Sequence, residues 1–289
     1  MNDYIITTDS GSDLSEALYK QYDIIPIMME YEVDGKTCQD TPNEQKIKEF
    51  YNTMRDGAAP KTSQINMDRM SGFFEQLAKE GKDILHISLG SGISGTCHNC
   101  MLAAKEISEK CGINIIIVDS LGASLVDGMQ CIMASENRKN GMSIQENADY
   151  LNEIKHNINV YFTTNTLTYL HRGGRVSKTS AVLGHMLGIN PVLTLDKDGK
   201  LIVCDKVRGE KNTFANIQKK IESNVIDAQE QTLYISHSDC FDRAKAAADQ
   251  MKSAFGFKDV VISNIGTIIG AHTGPGLVAL FYLGKPREM

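Results

Sequence analysis

The stretch Ile84-Leu85-His86-Ile87-Ser88-Leu89-Gly90-Ser91-Gly92-Ile93-Ser94-Gly95 joins an apolar run to a loop rich in glycine and serine. Its first five residues, Ile84 to Ser88, have the length and apolar character of a buried strand. A helical pattern from Ser94 to Lys110 follows, and then a second apolar strand pattern from Ile113 to Val118. Because strand, helix and strand in this order form parallel strands with a right-handed crossover, we predict a Rossmann-like parallel sheet in the first half of the chain.

Strand and helix patterns also alternate on both sides of this unit. Upstream they predict a strand at Tyr4–Thr8, a helix at Asp13–Gln21, an extended stretch at Ile24–Val33 that turns back at Asp34-Gly35, a helix capped by Thr41 that ends near Met54, and a helix at Met67–Lys79. Downstream, Ser143 and Glu146 form a capping box for a helix that ends near Ile154, before a strand at Val160–Thr163. We place the boundary there, with an N-terminal domain of residues 1–157 and a C-terminal domain of residues 158–289.

The second half of the chain is less regular. It contains a hairpin pattern, Val192–Leu195 and Leu201–Val207 around Asp198-Gly199, and strand patterns at Thr232–Ser236 and Asp259–Ser263. We therefore predict an α/β protein of two α/β domains. The C-terminal domain should hold a mixed sheet with helices, and a ligand should lie between the domains.

Composition excludes several classes of protein. The chain has 289 residues, enough for two domains, and a net charge of -6 from 30 basic and 36 acidic residues with no basic block, so a nucleic-acid partner is disfavoured. The first residues carry Asp3 where a signal peptide would carry positive charge, which predicts a cytoplasmic protein. The odd set of seven cysteines suits reduced thiols better than a disulfide framework.

The segment from Val260 to Gly284 contains no Asp, Glu, Lys or Arg, so a membrane-spanning helix has to be considered. Glycines and Pro275 divide it into a strand, a loop and a second apolar element from Leu277 to Tyr282, each too short to cross a bilayer. We therefore predict no transmembrane segment. The loop carries His272, which by itself suits a ligand contact and a histidine without a functional role about equally.

The glycine-rich loop allows two interpretations. Gly90, Gly92 and Gly95 form a G-x-G-x-x-G pattern between a strand and a helix, and Asp119 ends the next strand, as in a dinucleotide-binding oxidoreductase. The loop also carries serine hydroxyls. Amides at a helix N-terminus and hydroxyls would hold a carboxylate or a phosphate equally well, so the spacing alone leaves a dinucleotide and a smaller acid open.

Other candidate sites are weaker. Lys61-Thr62-Ser63-Gln64 is a hydroxyl-rich loop pattern, and Arg172 and Arg175 surround a pair of glycines, but ordinary loops have the same composition. Cys97 and Cys100 have the spacing of a redox pair in a first helical turn, yet no second group completes a metal site. No catalytic motif occurs, so we predict no catalytic residue, no metal and no cofactor.

Taken together, these motifs resemble the DegV family of bacterial fatty-acid-binding proteins over nearly the whole chain. The resemblance rests on the order of Thr8-Asp9-Ser10, Thr62-Ser63-Gln64, Ser94-Gly95-Thr96, Val118-Asp119-Ser120, Gly173-Gly174-Arg175 and Ile269-Gly270-Ala271-His272-Thr273-Gly274-Pro275-Gly276. It implies a carrier, not an enzyme, that holds one long-chain fatty acid between two domains and presents it to a fatty acid kinase. Cys97 and Ile65 depart from the usual pattern, where an aromatic residue and a proline are frequent.

The resemblance also implies roles for individual residues. Thr62, Ser94 and His272 would bind the carboxylate. The loop residues Ser63, Gly95 and Thr273 would support them. Arg175 and Arg208 would be exposed and would contact the kinase or the incoming phosphate.

Overall fold

The computed structural model describes residues 3–177 and 188–287. The strands are β1 (Ile5–Asp9), β2 (Ile24–Ile27), β3 (Glu30–Val33), β4 (Lys36–Gln39), β5 (Lys61–Ser63), β6 (Ile84–Ser88), β7 (Ile115–Asp119), β8 (Ile158–Thr163), β9 (Ile189–Leu195), β10 (Leu201–Arg208), β11 (Thr232–His237), β12 (Asp259–Asn264) and β13 (Val278–Leu283). The helices are α1 (Glu16–Gln21), α2 (Glu44–Arg55), α3 (Met67–Ala78), α4 (Thr96–Cys111), α5 (Leu125–Lys139), α6 (Ile144–Ile154), α7 (Thr168–Arg172), α8 (Glu210–Asn224), α9 (Phe241–Phe255) and α10 (Thr267–Thr273).

The first sheet is parallel, as predicted, with the strand order β2-β1-β6-β7. Successive side chains of β6 point to opposite faces. Ile84 packs in one apolar cluster with residues of α3 and α4, whereas Leu85 packs in another with residues of α5 and α6. The sheet is therefore covered by helices on both faces, which is the arrangement that parallel sheets require.

The second sheet is mixed, also as predicted. Its order is β10-β9-β8-β13-β11-β12, and β11 and β12 are parallel while the remaining neighbours are antiparallel. The predicted hairpin around Asp198-Gly199 joins β9 and β10. One apolar cluster runs from Leu85 of the first sheet to Phe162 and Phe281 of the second, so the two sheets share a core. The division at residue 157 stays a prediction.

Two predicted loops are wrong. The Lys61–Ser63 segment is a strand, because β5 pairs with β3 in a small antiparallel sheet of the order β4-β3-β5. The segment from Thr267 to Thr273 is the helix α10, which ends at Gly274, whose φ of +70° breaks the helical path. In both cases partners distant in the sequence decide the local structure.

Several predicted boundaries also shift. The helix predicted from Asp13 begins at Glu16, because Asp13 adopts a left-handed conformation with a φ of 52°. Asn43, not Thr41, caps α2 and accepts a hydrogen bond from the amide of Lys46. The capping box of Ser143 and Glu146 is confirmed at the start of α6. Among the described residues, no helix is long and apolar enough to cross a membrane.

Candidate functional site

A largely apolar cavity of about 70 Å³ lies between the two halves of the chain. Part of its wall comes from the second sheet, where alternate residues of β8 and β13 face inward, namely Val160 and Phe162 and then Ala279 and Phe281. Ile93 and Ala123 line it from the first half of the chain. Polar side chains also reach the wall at His272, Thr273, Arg175, Ser124 and Ser236.

The His272 side chain lines this cavity and contacts Thr62, which lies outside the wall. His272 lies in the last turn of α10, and its Nε2 is 2.7 Å from the hydroxyl of Thr62 on β5. Burial, and then the positive charge of Arg175, lower the pKa of His272 to about 4, so the imidazole is neutral near pH 7. The structure therefore brings together two of the three residues predicted to bind a carboxylate.

The other ring nitrogen of His272 has no partner. Its Nδ1 is buried and makes no hydrogen bond to any residue that the structure describes. A Cβ atom added to Gly173 would lie only 2.1 Å from this Nδ1, so the close approach of the α7 end to the imidazole requires glycine there. A buried polar atom without a partner is costly, and a ligand oxygen beside Nδ1 would remove that cost.

Arg175 is not the exposed residue that was predicted. Its side chain is half-buried, lines the cavity, and donates from Nη2 and Nε to the carbonyl oxygen of Ile93 at 3.0 and 3.2 Å. Burial lowers the pKa of its guanidinium. Arg208, by contrast, is exposed at the end of β10, as predicted. The two arginines therefore occupy different environments, and only Arg175 lies at the cavity.

Ser94 is held by its own loop. Its hydroxyl donates to Thr96 Oγ1 at 3.0 Å and accepts from the Thr96 amide at 3.2 Å. Thr96 Oγ1 also accepts from the amide of Ile65, at 3.3 Å, which ties this loop to the strand that carries Thr62. Neither Thr62 nor Ser94 lies in the cavity wall itself, although Ile93, which precedes Ser94, does.

The predicted supporting residues differ in environment. Ser63 and Gly95 are exposed, whereas Thr273 is buried, lines the cavity and donates to the carbonyl oxygen of Ile269 at 3.1 Å. Sequence inspection missed the apolar wall of β8 and β13. The alternation of apolar and polar residues in β8 was an available signal, whereas β13 is apolar throughout and shows no alternation.

The glycine-rich loop is packed against the protein itself. A Cβ atom added to Gly90 would lie 2.4 Å from the amide nitrogen of Gly122, and one added to Gly92 would lie 2.3 Å from the carbonyl oxygen of Asp198. Asp119 accepts hydrogen bonds from the amides of Ser91 and Leu121 at 3.0 and 3.1 Å. The glycines and the acid of the apparent dinucleotide motif thus serve contacts within the chain, which disfavours that interpretation.

Cys97 and Cys100 are unsuited to redox chemistry. Both thiols are buried, and burial raises the pKa of Cys97 to about 12 and that of Cys100 further. Desolvation therefore outweighs any lowering of the thiol pKa by the first helical turn. Among residues 3–177 and 188–287, no group of three or more His, Cys, Asp or Glu side chains is placed to hold a metal ion.

Known proteins with similar sequences and structures cover the same length. A DegV domain-containing protein of Clostridium perfringens is 36% identical over 100% of both chains. A structure described as a DegV lipid-binding protein from Thermotoga maritima has 27% identity and a TM-score of 0.88 and covers 99% of this chain and 100% of that one. A Thermus thermophilus structure described as fatty acid binding of a DegV family protein has 28% identity and a TM-score of 0.86 and covers 97% and 99%.

A family pattern described as "Uncharacterised protein, DegV family" matches residues 4–285. This match, the full-length relative from Clostridium perfringens and the shared fold agree with the motifs found in the sequence. The chain therefore belongs to the DegV family.

Proposed function

We propose that this protein binds one long-chain fatty acid in the cavity between its two halves and presents the carboxylate to a partner kinase that forms an acyl phosphate. The observation that carries the proposal is His272, which lines a mainly apolar cavity and whose buried Nδ1 finds no hydrogen-bond partner among the described residues. An acyl chain suits an apolar cavity, and a carboxylate oxygen suits an imidazole N–H. The two halves in this proposal are an N-terminal domain of residues 1–157 and a C-terminal domain of residues 158–289.

The energetics favour this assignment of tail and head. Burying about 15 methylene groups contributes on the order of 12 kcal/mol before the costs of association and ordering. Each hydrogen bond to the charged head contributes about 1.5–3 kcal/mol. The apolar wall therefore supplies most of the affinity, while Thr62, His272 and Arg175 orient the head group. Ser94 supports the head-group site through its loop. Arg208 is exposed and is available to contact the kinase.

We also propose that the protein is a carrier without a reaction of its own. The hydroxyl of Thr62 contacts His272, but the Asp and Glu side chains that the structure describes make no hydrogen bond to this imidazole that would orient it as a general base. A single carboxylate needs donors and an apolar channel, and this site supplies both. The acyl phosphate would be formed at the partner's active site, where the nucleotide is held.

The test uses delipidated protein. Palmitate or oleate should raise the temperature of thermal unfolding, whereas NAD and FAD should leave it unchanged. Mass spectrometry of an organic extract of freshly purified protein should identify a fatty acid. A shift with a dinucleotide and none with any fatty acid would refute the proposal.

A further inference from the structure

The helix α10 is attached to the first half of the chain by two buried carboxylates at its N-terminal end. Asp13 Oδ1 accepts from the amide of Gly266 at 2.8 Å. Asp40 Oδ1 accepts from the amide and the hydroxyl of Thr267 at 3.1 and 2.6 Å. Both side chains are buried, with relative exposures of 6% and 5%. Carboxylates at this end of a helix satisfy its unpaired amides and interact favourably with its dipole.

The same helix carries His272 at its other end. Thr267 and His272 are five residues apart in the sequence, which corresponds to about 8 Å along a helix. Gly266, the N-cap residue of α10, has no side chain that could accept hydrogen bonds from the amides of the first turn. The orientation of α10 therefore depends on carboxylates that belong to distant parts of the sequence.

The space around the start of α10 leaves little freedom. A Cβ atom added to Gly266 would lie 3.0 Å from Asp13 Oδ1 and 3.5 Å from Asp40 Oδ1, so both carboxylates contact the backbone at that point. Tyr51 donates to the carbonyl oxygen of Ile265 at 2.9 Å and packs against Gly270 in the middle of the helix. A shift of about 1 Å at the far end would break the 2.7 Å contact between His272 and Thr62.

We propose that Asp13 and Asp40 are positioning residues that orient α10, and so place the His272 imidazole against Thr62 and at the ligand cavity. This proposal rests on the proposed fatty-acid-binding function, because one of its two measurements is the affinity for a fatty acid. Its structural readout, the environment of His272, does not depend on that function. The carboxylates act through the helix and do not touch the ligand.

The first experiment substitutes Asp40→Asn, which keeps the shape and removes the charge, and Thr267→Val, which removes one donor. Thr267→Ser, which keeps the hydroxyl, is the matched control for the second change. Asp127→Asn is the control for the first, since Asp127 is a fully buried acid with no hydrogen bond to α10. Nitrogen-15 NMR of the His272 ring and palmitate titration are measured on each folded variant.

We expect both Asp40→Asn and Thr267→Val to shift the His272 ring resonances. Palmitate binding should weaken about tenfold in Thr267→Val, which loses one hydrogen bond, and by less in Asp40→Asn, whose amide oxygen remains as a weaker acceptor. Thr267→Ser and Asp127→Asn should leave both readouts near wild type. Combined with His272→Ala, the Asp40→Asn change should cost no further affinity, because the group it positions is gone.

Two results would overturn the proposal. One is an unchanged His272 spectrum in both Asp40→Asn and Thr267→Val, which would leave the carboxylates a purely structural role. The other is an additive loss of affinity in the double variant with His272→Ala. If wild-type protein binds no fatty acid, the proposed function fails, but the NMR comparison still decides whether Asp40 positions His272.

Discussion

His272 Nε2 lies 2.7 Å from the hydroxyl of Thr62, a residue 210 positions earlier in the chain. The contact joins a short strand of the first half to a short helix of the second, and the His272 side of it lines the apolar cavity. Both side chains are half-buried, and each is the other's hydrogen-bond partner. Variants of either residue should therefore have related effects on ligand binding.

Replacing Thr62 by valine keeps the side-chain volume and removes the hydroxyl. We expect fatty-acid affinity to fall by about 1–3 kcal/mol while the fold is retained, because His272 loses the hydroxyl that its Nε2 contacts and that orients the ring. Ser63→Ala, at the exposed neighbouring position of β5, is the matched control and should bind normally. Isothermal titration with palmitate measures both variants. Normal affinity of Thr62→Val would remove Thr62 from the site.

Replacing Ser94 by alanine tests the second proposed hydroxyl. Ser94 bonds to Thr96 within its own loop, so we expect a smaller loss than for Thr62→Val, of about 1 kcal/mol. The same titration measures it. A loss larger than that of Thr62→Val would indicate that Ser94 binds the carboxylate directly.

Substitutions of the two arginines should have different effects on fatty-acid binding. Arg175→Ala should weaken fatty-acid binding by about tenfold or more, because a half-buried guanidinium at the cavity is removed. Arg208→Ala, an exposed position, should bind fatty acid normally and impair only transfer to a kinase. Parallel binding and coupled kinase assays make the comparison. Equal binding losses in both variants would contradict the assignment.

The pH dependence of stability should report the neutral imidazole of His272. Its pKa is about 4 in the folded chain and ordinarily 6.5, so the unfolded chain binds more protons between these values. The contribution of neutral His272 to the free energy of unfolding is therefore fully present above pH 6.5 and is lost as the pH falls to about 4. The total loss is at most about 3 kcal/mol. Denaturant unfolding of the wild type and of His272→Gln across this range measures the difference.

A bound carboxylate should raise the pKa of His272, because an anion favours the imidazolium. His86 is the internal control, since burial holds its pKa at about 3 in the first sheet, away from the cavity. NMR titration with and without palmitate should move His272 and leave His86 unchanged. An unmoved His272 would place the head group elsewhere.

The glycine-rich loop should tolerate no side chain at Gly92. A Cβ atom there would meet the backbone of Asp198 and Gly199 at 2.3 and 2.7 Å, so Gly92→Ala should destabilise the protein by about 1–3 kcal/mol. Gly72→Ala, on an exposed helix position with nothing within 4 Å, should instead stabilise it by up to about 1 kcal/mol. Thermal unfolding measures both. An unchanged unfolding temperature in Gly92→Ala would contradict this packing and make the loop a candidate ligand site again.

The sequence by itself determined the elements whose signals are local. The apolar run Ile84–Ser88, the capping box of Ser143 and Glu146, and the hairpin at Asp198-Gly199 occur where predicted, because strand burial, amide capping and turn geometry involve neighbours in the chain. The order of several weak motifs also predicted the DegV family correctly.

Only the tertiary structure decided the arrangement of the site. The short strand of Thr62 exists because it pairs with β3, and the helix of His272 is held by Asp13 and Asp40 from the other half of the chain. Arg175 is half-buried because the first half supplies the carbonyl oxygen of Ile93. Each of these depends on packing between segments far apart in the sequence, which no local pattern of residues encodes.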